Sequence, residues 1–184
     1  MNQAIRKQGR FVQPEIVSSH FHIREGDQVA DFGAGSGFFV PTLSRLVGEE
    51  GVVYAVEVQK NLVEKIAETM RHHNLVNVQP LWGDIEEVGG TEIADASLDC
   101  AIVVNTLFQV EDKAGTIAEV SRTLRSGGKL FVIDWSESFE GLGPQPGDVL
   151  TGETAKAIVE TAGFVYEQSF DAGDHHYGFG YRKP

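Results

Sequence analysis

The chain has 184 residues, enough for one domain with a substantial core that needs no covalent staples. Its 15 Lys and Arg against 27 Asp and Glu give a net charge of −12. That balance disfavours nucleic acid as a partner, since such binding draws on cations at phosphates, and suits a small molecule or a basic polypeptide. The single cysteine, Cys100, excludes an internal disulfide and a cysteine-rich metal site, and no metal is expected.

The first residues, MNQAIRKQGR, are polar and basic without an apolar stretch, so no signal peptide is expected. Apolar runs such as 101–104 fall far short of the roughly 20 residues that span a bilayer, and a cytoplasmic protein is the expectation. Residues 1–20 precede the first strand and are read as a lid, with Phe11 folding over a ligand. Short β-branched runs then alternate with helical segments. Strands are predicted at Gln28–Phe32, Gly51–Glu57, Val76–Trp82, Leu98–Asn105, Gly128–Trp135, Phe164–Phe170 and His176–Arg182. Helices are predicted at Ser36–Val47, Lys60–His72, Asp112–Leu124 and Thr151–Ala162. Gly48, Gly127 and Gly163 follow helical segments as C-terminal caps do, and Thr151 reads as an N-cap. Residues 136–149 form a Gly- and Pro-rich loop of the length that tends to carry function. The alternation predicts a doubly wound α/β domain over 1–184, a seven-stranded sheet whose last strand returns antiparallel.

The sharpest signal is Asp31-Phe32-Gly33-Ala34-Gly35-Ser36-Gly37, which follows an apolar strand and opens a helix. Glycines there let the backbone turn tightly and approach a ligand with no Cβ in the way. A dinucleotide site wants a third glycine three places after the second, and that position holds Phe38. Glu57, at the end of the second strand, can accept both hydroxyls of a ribose. Gly83-Asp84-Ile85 follows the third strand, Asn105 closes the buried fourth one, and Leu124-Arg125-Ser126-Gly127-Gly128-Lys129-Leu130 leads into the fifth.

Together these segments resemble the motifs of class I S-adenosylmethionine-dependent methyltransferases over nearly the whole chain, with a Rossmann-like fold. Among them the chain is most similar to small stand-alone enzymes related to the ubiquinone and menaquinone biosynthesis methyltransferases. The resemblance implies S-adenosylmethionine as cofactor, held by Asp31, Gly33, Ala34, Gly35, Gly37, Glu57 and Asn105. It also implies that Asp84 accepts from the adenine amine while Val58 and Ile85 cover the ring. The chain departs from the quinone enzymes in lacking length for a large substrate cap, and one core cysteine cannot hold arsenic as arsenite methylation requires. A small-molecule acceptor is the favoured reading. The alternatives are a protein methyltransferase, a cofactor-binding module without turnover and, weakest, an NAD-linked dehydrogenase.

Ligands of open α/β sheets sit beyond the carboxyl ends of the strands. Asn105, Thr106, Asp134 and Glu137 fall there, and His175 in the last hairpin reaches the same edge, yet no residue stands out as the catalytic base. An acceptor pocket is expected at the ends of the fourth and fifth strands, walled by Phe11, Leu107, Phe108 and Trp135.

Overall fold

A computed structural model describes residues 10–184. Seven strands, β1 (Gln28–Phe32), β2 (Val52–Glu57), β3 (Val78–Trp82), β4 (Leu98–Val104), β5 (Leu124–Trp135), β6 (Val165–Phe170) and β7 (His176–Arg182), form one sheet in the order β3-β2-β1-β4-β5-β7-β6. β1 to β5 run parallel, and β7 is antiparallel to both β5 and β6. β4 is apolar along nearly its whole length and buried, as a central strand covered on both faces must be. Along β5 the side chains alternate. Leu130 and Val132 join one core layer with α4 (Lys113–Thr123) and α5 (Gly152–Thr161). Phe131 and Ile133 join the other with α1 (Pro14–Val17), α2 (Val40–Val47) and α3 (Lys60–His73). No helix among the described residues is long and apolar enough to cross a membrane.

The chain order reverses direction between β1 and β4, and this switch point opens a crevice at their carboxyl ends. The glycine turn leaves β1 on one side of it, and Asn105 leaves β4 on the other.

Three local differences from the sequence reading have physical causes. α2 begins at Val40, not Ser36, because Gly37 sits at φ +86° and its N–H bonds back to the Ala34 carbonyl, closing a turn; Pro41 then fits the first helical turn. β5 begins at Leu124, paired with Leu98, so Gly127 is no helix cap: its N–H reaches the Lys183 carbonyl at 2.8 Å inside the strand. The short helix α1, opened by Pro14, and a 3-10 turn at Ser18–His20 were not foreseen.

The described part of the expected lid is tied to the β6–β7 turn. Residues 1–9 lie outside the described residues. Arg10 is tied to the β6–β7 turn by ion pairs to Asp171 at 2.9 Å and Asp174 at 3.2 Å, and its carbonyl accepts the Asp174 N–H at 2.8 Å. The backbone approach is so close that a Cβ on Gly173 would stand 2.5 Å from the Arg10 carbonyl oxygen. Residues 10–20 are therefore a strap along that edge, and none of them lines the ligand cavity described below.

Away from the site, Glu119 of α4 is fully buried. Burial resists its ionisation, but Arg122, the Gly89 N–H and Thr91 outweigh that and hold its pKa down at about 2. Its folded pKa lies below the ordinary carboxylate value, so the stabilisation is complete above about pH 4.5 and is lost as pH falls toward 2. Glu119→Ala strands buried donors and is expected to cost roughly 2–4 kcal/mol in urea unfolding at neutral pH. A change within experimental error contradicts this role.

Candidate functional site

The crevice at the switch point is a cavity of about 530 Å³, in the size range of small-molecule sites. Its floor is the turn after β1. Gly33 and Ala34 donate their N–H groups to the Val56 carbonyl at 3.0 and 2.9 Å, which binds the turn to β2. Gly33, at φ +80°, leaves no room for a side chain, since a Cβ would fall 2.5 Å from Thr106 Cγ2. Gly35, at φ +57°, has no protein atom within 4 Å of a Cβ placed on it.

Glu57 ends β2 beside this turn. One carboxylate oxygen accepts the Gly35 N–H at 3.0 Å and the other accepts the Gln59 N–H at 2.9 Å. Each oxygen has lone-pair capacity to spare, so the carboxylate is held in place and still able to accept from a ligand. Asp31, at the end of β1, is buried in the same wall. Burial, reinforced by the Glu57 charge, pushes its pKa up to about 7. Asp84 stands exposed at the far side with one oxygen accepting the Glu86 N–H at 2.9 Å. Ile85 is buried, and Val58 is exposed at the mouth. Asn105 is held in the left-handed region at φ +52°, and its side-chain oxygen is buried without a hydrogen-bond partner among the described residues. Strain and an unsatisfied acceptor at a cavity wall are the marks of a site built for a ligand.

Every residue expected to hold the cofactor lines this cavity except Gly37. Gly37 is buried behind the turn, where a Cβ would meet Ile66 at 3.2 Å and Val40 at 3.4 Å; its smallness lets α2 and α3 close on the turn. Thr106, expected at this edge, also lines the cavity, as do Phe38, Phe39, Gln59, Leu62 and Gln109, which the sequence reading does not single out. Phe38 carried a signal, because a bulky apolar residue next to a glycine turn and exposed here faces a ligand or solvent.

The acceptor pocket is not built as expected. Leu107 is fully buried, and both it and Phe108 pack into the core layer of α4 and α5. Phe11 instead packs edge-on against Trp135 at 6.3 Å, on the opposite face of β5. The two phenylalanines therefore do not wall one pocket. Asp134 is no free base either: its oxygens accept the Phe108 N–H at 2.9 Å and the Trp135 N–H at 2.8 Å. Burial pushes its pKa up to about 6 despite these bonds.

Residues 23–169 match a protein family described as a methyltransferase domain. The chain belongs to that family. Among curated relatives, this methyltransferase domain is 31% identical over 116 residues to the ubiquinone/menaquinone biosynthesis C-methyltransferase of Proteus mirabilis, over 62% of this chain and 45% of that protein. It thus spans less than half the length of that relative. Among solved structures it is similar to a SAM-dependent methyltransferase from Aquifex aeolicus, with TM-score 0.85 and 29% identity over 93% of this chain and 89% of that one. The cyclase SpnF matches at TM-score 0.79 and 17% identity over 93% of this chain and 80% of its own, a likeness of fold alone.

Proposed function

We propose that this domain transfers a methyl group from S-adenosylmethionine to a small-molecule acceptor. The observation that carries the reading is the charge of the cavity: Asp31, Glu57, Asp84 and Glu86 line it, and no Lys, Arg or His does so among the described residues. A pyrophosphate would meet four carboxylates and no cation, which sets dinucleotides aside. S-adenosylmethionine brings a sulfonium and an ammonium instead, and a ribose for Glu57.

The residues present fit the cofactor. Gly33 to Gly35 give close backbone approach. Glu57 would accept the ribose hydroxyls, Asp84 the adenine amine, and Val58 and Ile85 would flank the ring. Gly37 would support the turn from behind. When bound, the cofactor supplies a methyl group already activated on sulfur. What remains for the chain is to hold the acceptor in line, exclude water and receive a proton where the acceptor must lose one.

Calorimetry with S-adenosylmethionine and with NAD tests the reading. Binding is expected for the first and none for the second. Glu57→Ala should weaken S-adenosylmethionine binding by about 1–3 kcal/mol, the loss of a charged acceptor. Unchanged affinity in a variant with native circular dichroism would sink the assignment of Glu57.

A further inference from the structure

At the sheet edge that also carries the cofactor cavity lies a histidine whose chemistry the fold does not use. His175 ends the β6–β7 turn and is 8% exposed. Its Nδ1 lies 2.8 Å from a Glu137 carboxylate oxygen, and its backbone carbonyl accepts the Ser136 N–H at 2.9 Å, which fixes the ring to the end of β5. In the neutral ring a carboxylate at Nδ1 favours the tautomer with its proton there, which leaves a lone pair on Nε2. That Nε2 is buried with no hydrogen-bond partner among the described residues. A buried imidazole held at one nitrogen and unpartnered at the other among the described residues has the lone pair that a base needs.

The surroundings are aromatic. Phe139 stacks on the His175 ring at 3.8 Å, Phe11 lies 5.6 Å away, and Phe11 also contacts Trp135. Phe139 belongs to the loop after β5, in which Gly141 and Gly143 take positive φ and a Cβ on Gly143 would fall 2.5 Å from the Trp135 indole.

Position relates this group to the cavity. Asn105, with its own unpartnered oxygen in the cavity wall, leaves β4 one strand from β5 and two from β7. At the usual spacing of sheet strands that is roughly 10 Å along the edge.

We infer that His175, oriented by Glu137, receives the proton of a hydroxyl acceptor seated against the aromatic edge formed by Phe11, Trp135 and Phe139. This rests on the methyl-transfer reading of the neighbouring cavity. A hydroxyl needs such help, whereas a neutral amine or a thiolate does not. The acceptor proton passes to Nε2. The oxygen lone pair forms the new bond to the methyl carbon, and the pair of the broken carbon–sulfur bond stays on sulfur. The imidazolium is held by Glu137 and returns its proton to water once the product leaves. Glu137 is the positioning residue of the pair.

The test is optical and needs no turnover. The protein saturated with S-adenosylhomocysteine is titrated with 3-nitrophenol at neutral pH, where the free phenol is mostly protonated. Wild type is expected to produce phenolate absorption on binding. His175→Gln should lose it, and Glu137→Gln, which keeps the shape of the side chain, should weaken it. Should His175→Gln fail to fold, Glu137→Gln decides alone. Wild type without a phenolate band, whether the probe binds neutral or not at all, overturns the proposal, as does an undiminished band in the variants. Calorimetry with S-adenosylmethionine is read separately. No cofactor binding sinks the methyl-transfer reading, whereas cofactor binding without phenolate sinks the role of His175 alone.

Discussion

Gly35→Val is expected to abolish binding of S-adenosylmethionine while the protein remains folded. Gly35 lines the cavity at φ +57°, a conformation that a β-branched residue adopts only at a cost of roughly 1–3 kcal/mol. The folded chain can bear that cost, because an added Cβ meets no protein atom within 4 Å. The ligand cannot, because the side chain takes up the space at the cavity wall that the missing Cβ leaves open. Gly33 is the contrast: a Cβ there strikes Thr106, so substitution damages the fold and reports nothing about binding. Circular dichroism and calorimetry on the same Gly35→Val sample separate the two effects. Measurable affinity in the folded variant would put the ligand elsewhere.

The second large effect is a pH dependence of cofactor binding set by Asp31. In the free protein, burial and the nearby Glu57 charge raise the Asp31 pKa to about 7. A cationic ligand favours the carboxylate and lowers that value, so binding below pH 7 must expel the proton. Affinity should therefore rise about tenfold per pH unit as pH climbs toward 7 and level off above it. The heat of binding below pH 7 should vary with the ionisation enthalpy of the buffer, which counts the proton released. In the free protein the sign reverses: a raised carboxylate pKa means the folded state holds its proton more tightly, so ionising Asp31 costs stability as pH rises through about 7. Asp31→Asn should bind more weakly at pH 8 and show a flat profile. A wild-type affinity independent of pH would mean that Asp31 does not feel the ligand's charge.

The parts of this site that sequence reveals are those fixed by local backbone geometry. A strand, a turn of spaced glycines and a carboxylate at the next strand end place Gly33, Gly35 and Glu57 with little help from the rest of the chain. Gly37 belongs to the same motif but does a different job, which shows only once Ile66 of α3 is seen packed behind it. The strap is invisible for a related reason: Arg10 meets Asp171 and Asp174 across a separation of 161 and 164 residues, and no local pattern marks such a partner. Leu107 and Phe108 were misplaced because Asn105 turns the chain through the left-handed region and drives the following residues into the α4–α5 core. His175 was visible as a residue at the right edge. Its pairing with Glu137 and its buried Nε2, unpartnered among the described residues, required the fold. The cyclase SpnF shares this fold, and one fold carries different reactions, so function is read from the site.

In the proposed reading the carboxylate-lined cavity between Gly35 and Asn105 holds S-adenosylmethionine. A crystal structure of the protein grown with S-adenosylhomocysteine decides this. Density is expected in that cavity, with the ribose hydroxyls on Glu57, the adenine between Val58 and Ile85, and the sulfur facing the β4–β5 edge toward His175. Ligand density at another surface, or a ribose that makes no contact with Glu57, would contradict it.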